Sequence, residues 1–90
     1  MDILLYVRLN CRKCQELEDF LIDEHIQFET KTINTDWNSK MEFDKHGFIY
    51  VPSIAIIDNR KNTIDKFHNI SMYDYDKILT EIRGRQHGHN

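Results

Sequence analysis

The sequence predicts an α/β domain with element order βαβαββα, a four-stranded mixed sheet carrying helices on both faces. Three observations support this. Two short runs, Ile3-Leu4-Leu5-Tyr6-Val7 and Ile54-Ala55-Ile56-Ile57, are continuously apolar, as strands covered on both faces are. Apolar residues recur at helical spacing after the first run and again from Ser71 onward. Asp58-Asn59-Arg60-Lys61-Asn62 has the composition of a hairpin turn.

Each element has a local reason. Ile3 to Val7 forms the first strand, and Arg8-Leu9-Asn10 a short loop. From Cys11 the pattern turns helical: Cys14, Leu17 and Leu21 share a stripe, Phe20 lies beside it, and the helix should reach Glu24 or His25. Ile26 to Ile33 reads as a second strand, polar enough for a sheet edge. Asp36 is a candidate N-cap for a shorter helix, in which Trp37 and Met41 are expected to pack. Gly47 sits where a left-handed stop is expected. His25 and His46 are expected to close their helices and to favour the C-terminal dipole. Tyr50-Val51-Pro52-Ser53 leads into the second apolar run, and Thr63 to His68 pairs back as a fourth strand.

Ser71-x-x-Asp74 resembles a capping box. Behind it Tyr75, Ile78, Leu79 and Ile82 fall at i, i+3, i+4 and i+7, with Gly84 expected to end the helix. Residues 1–84 then form one domain, and 85–90 a polar, flexible tail. Right-handed crossovers put the first and third helices on one face and the second on the other. The two apolar runs become the central strands.

Composition narrows the function. The net charge is −3, and Lys and Arg never form a run longer than two. That excludes a basic stripe and argues against nucleic acid. No apolar segment reaches membrane-spanning length. An acidic residue at position 2 and the lack of a basic leader argue against a signal peptide, so the expected location is cytoplasmic.

Cys11 and Cys14 are the only cysteines. In a reducing compartment such a pair is more often catalytic or metal-binding than a structural staple. Two intervening residues let one thiol attack an external disulfide and the other resolve the product. A zinc site needs about four ligands, and no second cysteine pair exists. His87-x-His89 could complete one only from a glycine-flanked tail. No metal and no bound cofactor are therefore expected. Cys11 lies at a helix N-terminus, with Arg12, Lys13 and Arg8 close by, all of which favour a thiolate. Cys14, one turn on and on the apolar stripe, should be buried and keep its proton until it acts.

Tyr6, a basic Arg8, two further residues and then Cys11-x-x-Cys14 at a helix start are similar to the glutaredoxin pattern Tyr-[Ser/Thr]-Lys-x-x-Cys-x-x-Cys. Val51-Pro52 ahead of the third strand resembles the cis-proline of thioredoxins and glutaredoxins. The resemblance spans residues 2 to 84 and implies a thioredoxin-like fold of the glutaredoxin type. Two departures stand out. His68-Asn69-Ile70-Ser71 replaces the Gly-Gly-acidic stretch that holds glutathione, and Arg12-Lys13 replaces the usual residues between the cysteines.

The resemblance implies a dithiol–disulfide oxidoreductase that reduces protein disulfides or glutathione mixed disulfides. It implies Cys11 and Cys14 as catalytic residues, and Arg8, Lys13, Val51, Pro52 and Asn69 as substrate-binding. Val51 would present its backbone to the substrate through a cis bond to Pro52. The Tyr6 hydroxyl could reach the site rim. Expected partners are disulfide-containing clients, ribonucleotide reductase among them. Glutathione or a thioredoxin reductase would supply electrons, and the protein would act as a monomer. The alternative is a non-catalytic redox switch or partner-binding module using the same pair.

Overall fold

Apolar continuity places the two central strands. In the computed structural model, which describes residues 1–87, β1 (Asp2–Val7) runs parallel to β2 (Glu29–Thr32) and antiparallel to β3 (Ser53–Asp58). β4 (Thr63–Phe67) pairs antiparallel with β3, giving the order β2-β1-β3-β4. Side chains alternate across a strand, so each central strand feeds two cores. Ile3, Leu5, Val7, Ile54 and Ile56 pack with Cys14, Leu17 and Leu21 of α1 (Arg12–Asp23) and with Ile78 and Ile82 of α3 (Tyr75–His87). Tyr6 and Ala55 point the other way, into a cluster with Ile33, Phe48 and Phe43 of α2 (Trp37–Lys45). Helices α1 and α3 thus share one face and α2 takes the other, as the crossover rule requires.

Several boundaries differ from the sequence reading. The second strand starts at Glu29, because Ile26 is used to end α1. The Ile26 N–H donates to the Leu21 carbonyl at 2.9 Å, the His25 N–H donates to that of Ile22 at 3.0 Å, and His25 takes φ 58°. This is a Schellman stop with histidine in the left-handed position. The same motif ends α2 with the expected residue: Gly47 has φ 82°, and the Phe48 N–H donates to the Phe43 carbonyl at 3.2 Å. The fourth strand stops at Phe67, before the chain turns at Asn69 with φ 47°.

The last helix opens at Ser71, whose N–H donates to the Asp74 carboxylate at 2.9 Å, through a 3-10 turn, Met72–Asp74. Gly84 does not end it. The helix runs through Gly84 to His87, since glycine in a helix costs only about 1 kcal/mol. Within the expected 85–90 tail, residues 85–87 are thereby corrected to helix. Arg85 is helical and nearly buried, paired with Asp58, Asp65 and Glu81. Residues 88–90, and with them His89 of the His87-x-His89 pair, lie outside the described residues.

Trp37 and Met41 do not pack as expected. They are 75% and 54% exposed, and α2 buries Ser39 and Phe43 instead. Both pairs are four residues apart, so periodicity alone cannot say which stripe faces the sheet. Tyr6 is also corrected at its hydroxyl, which donates to Glu42 at 3.0 Å on the α2 face rather than reaching the site rim. Burial and that hydrogen bond push its pKa up.

His46 caps α2 by position, but not as a cation. Its ring lies 5.7 Å from that of Tyr6 and 5.4 Å from that of Phe48. Burial holds its pKa below the usual histidine value, and Lys66 and Lys45 add to this against the opposing pull of Glu42. A histidine with a depressed folded pKa binds a proton more readily when unfolded. Its stabilising contribution is therefore complete above the ordinary value near 6.5 and is lost as pH falls below that through the folded value. His46→Phe keeps the ring stack and cannot titrate. Urea unfolding at pH 7.5 and pH 5.5 should show a smaller acid-side loss of stability in this variant than in the parent. An equal loss in both would exclude this role for His46.

Candidate active site

The site is built at the C-terminal end of β1. Past Val7, the Leu9 N–H donates to the Asn34 side chain at 3.1 Å, which ties this loop to the one entering α2. Asn10 turns the chain with φ 57°, a conformation asparagine tolerates better than most residues. Cys11 then takes extended geometry as the N-cap of α1. Its sulfur occupies the place of the usual cap oxygen: the Cys14 N–H donates to Cys11 Sγ at 3.2 Å, while the Gln15 N–H donates to the Cys11 carbonyl at 3.1 Å. Unpaired N–H groups and the helix dipole favour negative charge there. The first turn contains no acidic residue to compete.

Cys11 and Cys14 are joined as a disulfide, with Cα atoms 5.2 Å apart. Cys11 is half-buried, whereas Cys14 is 2% exposed within the core. One sulfur is thus offered to solvent and the other withheld. Arg8, Arg12 and Lys13 are exposed, and none has an ion-pair partner among the described residues.

A second loop meets the same end of the sheet. Tyr6 pairs with Ser53 across β1 and β3, so the residues just ahead of Ser53 lie beyond the end of β1. The Val51–Pro52 bond is cis and Pro52 is buried. Ser53 Oγ donates to the Tyr50 carbonyl at 2.7 Å and accepts from the Asn69 N–H at 3.3 Å. The Ile70 N–H donates to the Pro52 carbonyl at 2.9 Å. These bonds fasten the Val51–Pro52 turn to the segment after β4.

The residues singled out in the sequence fall into three places. Arg8, Cys11 and Cys14 line one open groove of about 630 Å³, with Asn10, Arg12 and Glu18. Lys13 lines a separate, smaller groove of about 280 Å³ with Ile70, Met72, Tyr73 and Tyr75. Val51, Pro52 and Asn69 line neither groove. Sequence reasoning missed Glu18, whose carboxyl pKa is raised by burial and by the neighbouring Asp19. The spacing Cys11, Cys14, Glu18 puts all three on one helix face, which would have found it. It also missed Met72 and Tyr73, for which no local signal exists.

Among the described residues, no group of three or more His, Cys, Asp and Glu side chains is placed to hold a metal. No helix among them is long and apolar enough to cross a membrane.

No family model and no curated protein matches the sequence. Solved structures do match the fold. A mutant of the thioredoxin-like protein BC3987 superposes with a TM-score of 0.70 at 14% identity, covering 87% of this chain and 99% of that one. Unmutated BC3987 gives 0.69 at 13% identity, with 86% and 99% covered. Thioredoxin 1 from the thermophilic eubacterium Thermosipho africanus TCF52B gives 0.62 at 14% identity, with 96% and 98% covered. At such low identity the likeness speaks for the fold. The chain has a thioredoxin-like fold with a Cys-x-x-Cys pair at the head of its first helix.

Proposed function

We propose that the protein is a dithiol–disulfide oxidoreductase that reduces disulfides of protein clients. One observation carries the reading: an accessible Cys11 sulfur serves as the helix N-cap, hydrogen-bonded by the Cys14 N–H, with Cys14 buried directly behind it. The cap stabilises the Cys11 thiolate, the nucleophilic form, and exposure makes it the attacking group.

In the reduced protein, Cys11 thiolate attacks one sulfur of a client disulfide. A Cys11–client bond forms, and the other client sulfur leaves as a thiolate that takes up a proton. Cys14 then gives up its proton, and its sulfur attacks Cys11 Sγ. The Cys11–Cys14 disulfide closes, and the second client sulfur leaves and is protonated. The client gains two electrons from the cysteine pair and two protons, one released by Cys14 and one from solvent, which took up the Cys11 proton when the thiolate formed. Either glutathione or a thioredoxin reductase restores the dithiol by the same exchange in reverse. Arg8 borders the attack site, and the Val51 backbone pairs with the client chain. Asn69 completes that wall. The protein works as a cytoplasmic monomer, and ribonucleotide reductase is one client in keeping with the glutaredoxin resemblance.

Reduction of insulin by dithiothreitol tests this. The protein should shorten the lag before insulin precipitates. Coupling to NADPH through glutathione and its reductase, or through thioredoxin reductase, identifies the donor. No acceleration with any reductant overturns the proposal. A pair that is oxidised and rereduced but never turns over belongs to a redox switch.

A further inference from the structure

The groove that Lys13 lines has no part in the exchange chemistry, yet it adjoins it. Lys13 lies between the two cysteines in the chain, and with Glu16 it forms the α1 wall. Ile70, buried, and Tyr75, half-buried, contribute to the lining. The opposite wall is Met72 and Tyr73, which are 71% and 90% exposed. These two are not on a loose loop. They sit on the 3-10 turn that Ser71 and Asp74 cap, and Tyr75 at its end packs its ring 4.6 Å from that of Phe20 on α1. A fixed turn therefore presents two large apolar side chains to solvent beside the cysteine pair. Neighbouring exposed apolar side chains of this kind, set beside a groove, mark an interaction surface.

The dimensions and charge indicate the occupant. About 280 Å³ is below the roughly 300–1,000 Å³ of pockets that enclose whole small ligands. It suits one large side chain. Tyrosine offers a rigid amphipathic wall and methionine an adaptable one. The basic residues at the head of α1 are divided between the two grooves, Arg8 and Arg12 with Glu18 on the larger and Lys13 with Glu16 on the smaller, and none of the three is ion-paired among the described residues, although the chain as a whole carries −3. That local excess of positive charge favours an acidic partner.

We propose that the groove between Lys13 and Met72–Tyr73 seats an aromatic or large aliphatic side chain adjacent to the disulfide cysteine of a protein client, and that Arg8, Arg12 and Lys13 select clients with acidic residues flanking it. This rests on the oxidoreductase reading and names its substrate class. Glutathione supplies the negative charge but no side chain that fills the groove, so it is the poorer substrate.

The test is single-turnover reduction, with protein reduced by dithiothreitol and then desalted, so that no native donor is needed. The substrates are symmetrical disulfides of short synthetic peptides: an acidic peptide with Phe before its Cys, the same peptide with Gly in place of Phe, a Lys-flanked version of the first, and glutathione disulfide. The acidic Phe peptide should react about tenfold or more faster than its Gly counterpart, the discrimination one apolar contact provides. Its advantage over the Lys-flanked version should shrink as salt is raised. A Met72→Ser/Tyr73→Ser variant should lose the Phe preference and retain the charge preference, and Lys13→Glu should weaken the charge preference. Both alter exposed positions, and the parent protein alone already tests the ranking. Equal rates for all four substrates, or glutathione disulfide reacting fastest, would overturn this inference and leave the oxidoreductase reading standing. No reduction of any substrate would overturn both.

Discussion

Cys11→Ser is expected to abolish disulfide reduction, with a loss on the order of 10³-fold or more in kcat/KM, while Cys14→Ala is expected to capture the client covalently. The two substitutions separate attack from resolution. Serine at position 11 keeps an oxygen at the N-cap, and serine is among the best cap residues, so α1 should remain intact. What is lost is the thiolate. A serine hydroxyl is far too weak an acid to replace it at neutral pH, and exposed basic residues at the helix start cannot compensate. Alanine is the better choice at position 14. Cys14 is 2% exposed in the core, and a buried serine hydroxyl without a partner would cost about 1–3 kcal/mol. With Cys11 still able to attack and nothing behind it to resolve, the mixed disulfide should persist. Incubating Cys14→Ala with insulin and running a non-reducing gel should show an adduct that dithiothreitol removes. Turnover surviving in Cys11→Ser, or no adduct with Cys14→Ala, would assign the nucleophile elsewhere.

That pair was legible because its placement depends on local signals. A continuous apolar run must be a doubly covered strand, a stripe from Cys14 to Leu21 must be a helix on that sheet, and the short loop between them puts Cys11 at the helix start. The Val51–Pro52 turn could be read from its resemblance to a known pattern, and the structure holds it in cis. Where the reading failed, several local signals pointed to more than one outcome. Ile26 is apolar in either a strand or a helix stop, and only its hydrogen bond to Leu21 decides. Trp37–Met41 and Ser39–Phe43 have the same spacing, and burial of the smaller pair follows from how α2 lies on the sheet. Greasy residues such as Trp37 outside and Ser39 inside invert the usual ranking. The groove beside Lys13 needed the 3-10 turn and α1 to be brought together from opposite ends of the chain, which no window of sequence contains. The same holds for Arg85.

Arg85→Ala is expected to lower the melting temperature by on the order of 10 °C, although the residue was read as part of a dangling tail. Arg85 sits in the last turn of α3 with its side chain 14% exposed. One guanidinium nitrogen donates to Asp58 Oδ2 at 3.3 Å, and the other reaches Asp65 of β4 and Glu81 one turn back at 3.3 Å. Asp58 has a second duty: its other oxygen accepts the N–H groups of Arg60 and Lys61 at 3.1 and 3.4 Å, closing the β3–β4 hairpin. Arg85 therefore joins the end of the last helix to the hairpin and the edge strand. Removing it leaves three carboxylates facing one another, of which Asp65 and Glu81 are part-exposed but Asp58 is nearly buried, and the uncompensated charge on Asp58 costs more than the lost hydrogen bonds. Arg85→Lys keeps one charge but not the planar fork, so its melting temperature should fall between those of Arg85→Ala and the parent. In an Asp65→Asn background the cost of Arg85→Ala should shrink, because one of the stranded charges is gone. Thermal melts followed by circular dichroism would settle the point. If Arg85→Ala melts within about 2 °C of the parent, the cluster contributes no more than an ordinary surface ion pair. If it melts as expected, the folded unit extends past Gly84, and a chain ending there should be at least as unstable as the point variant.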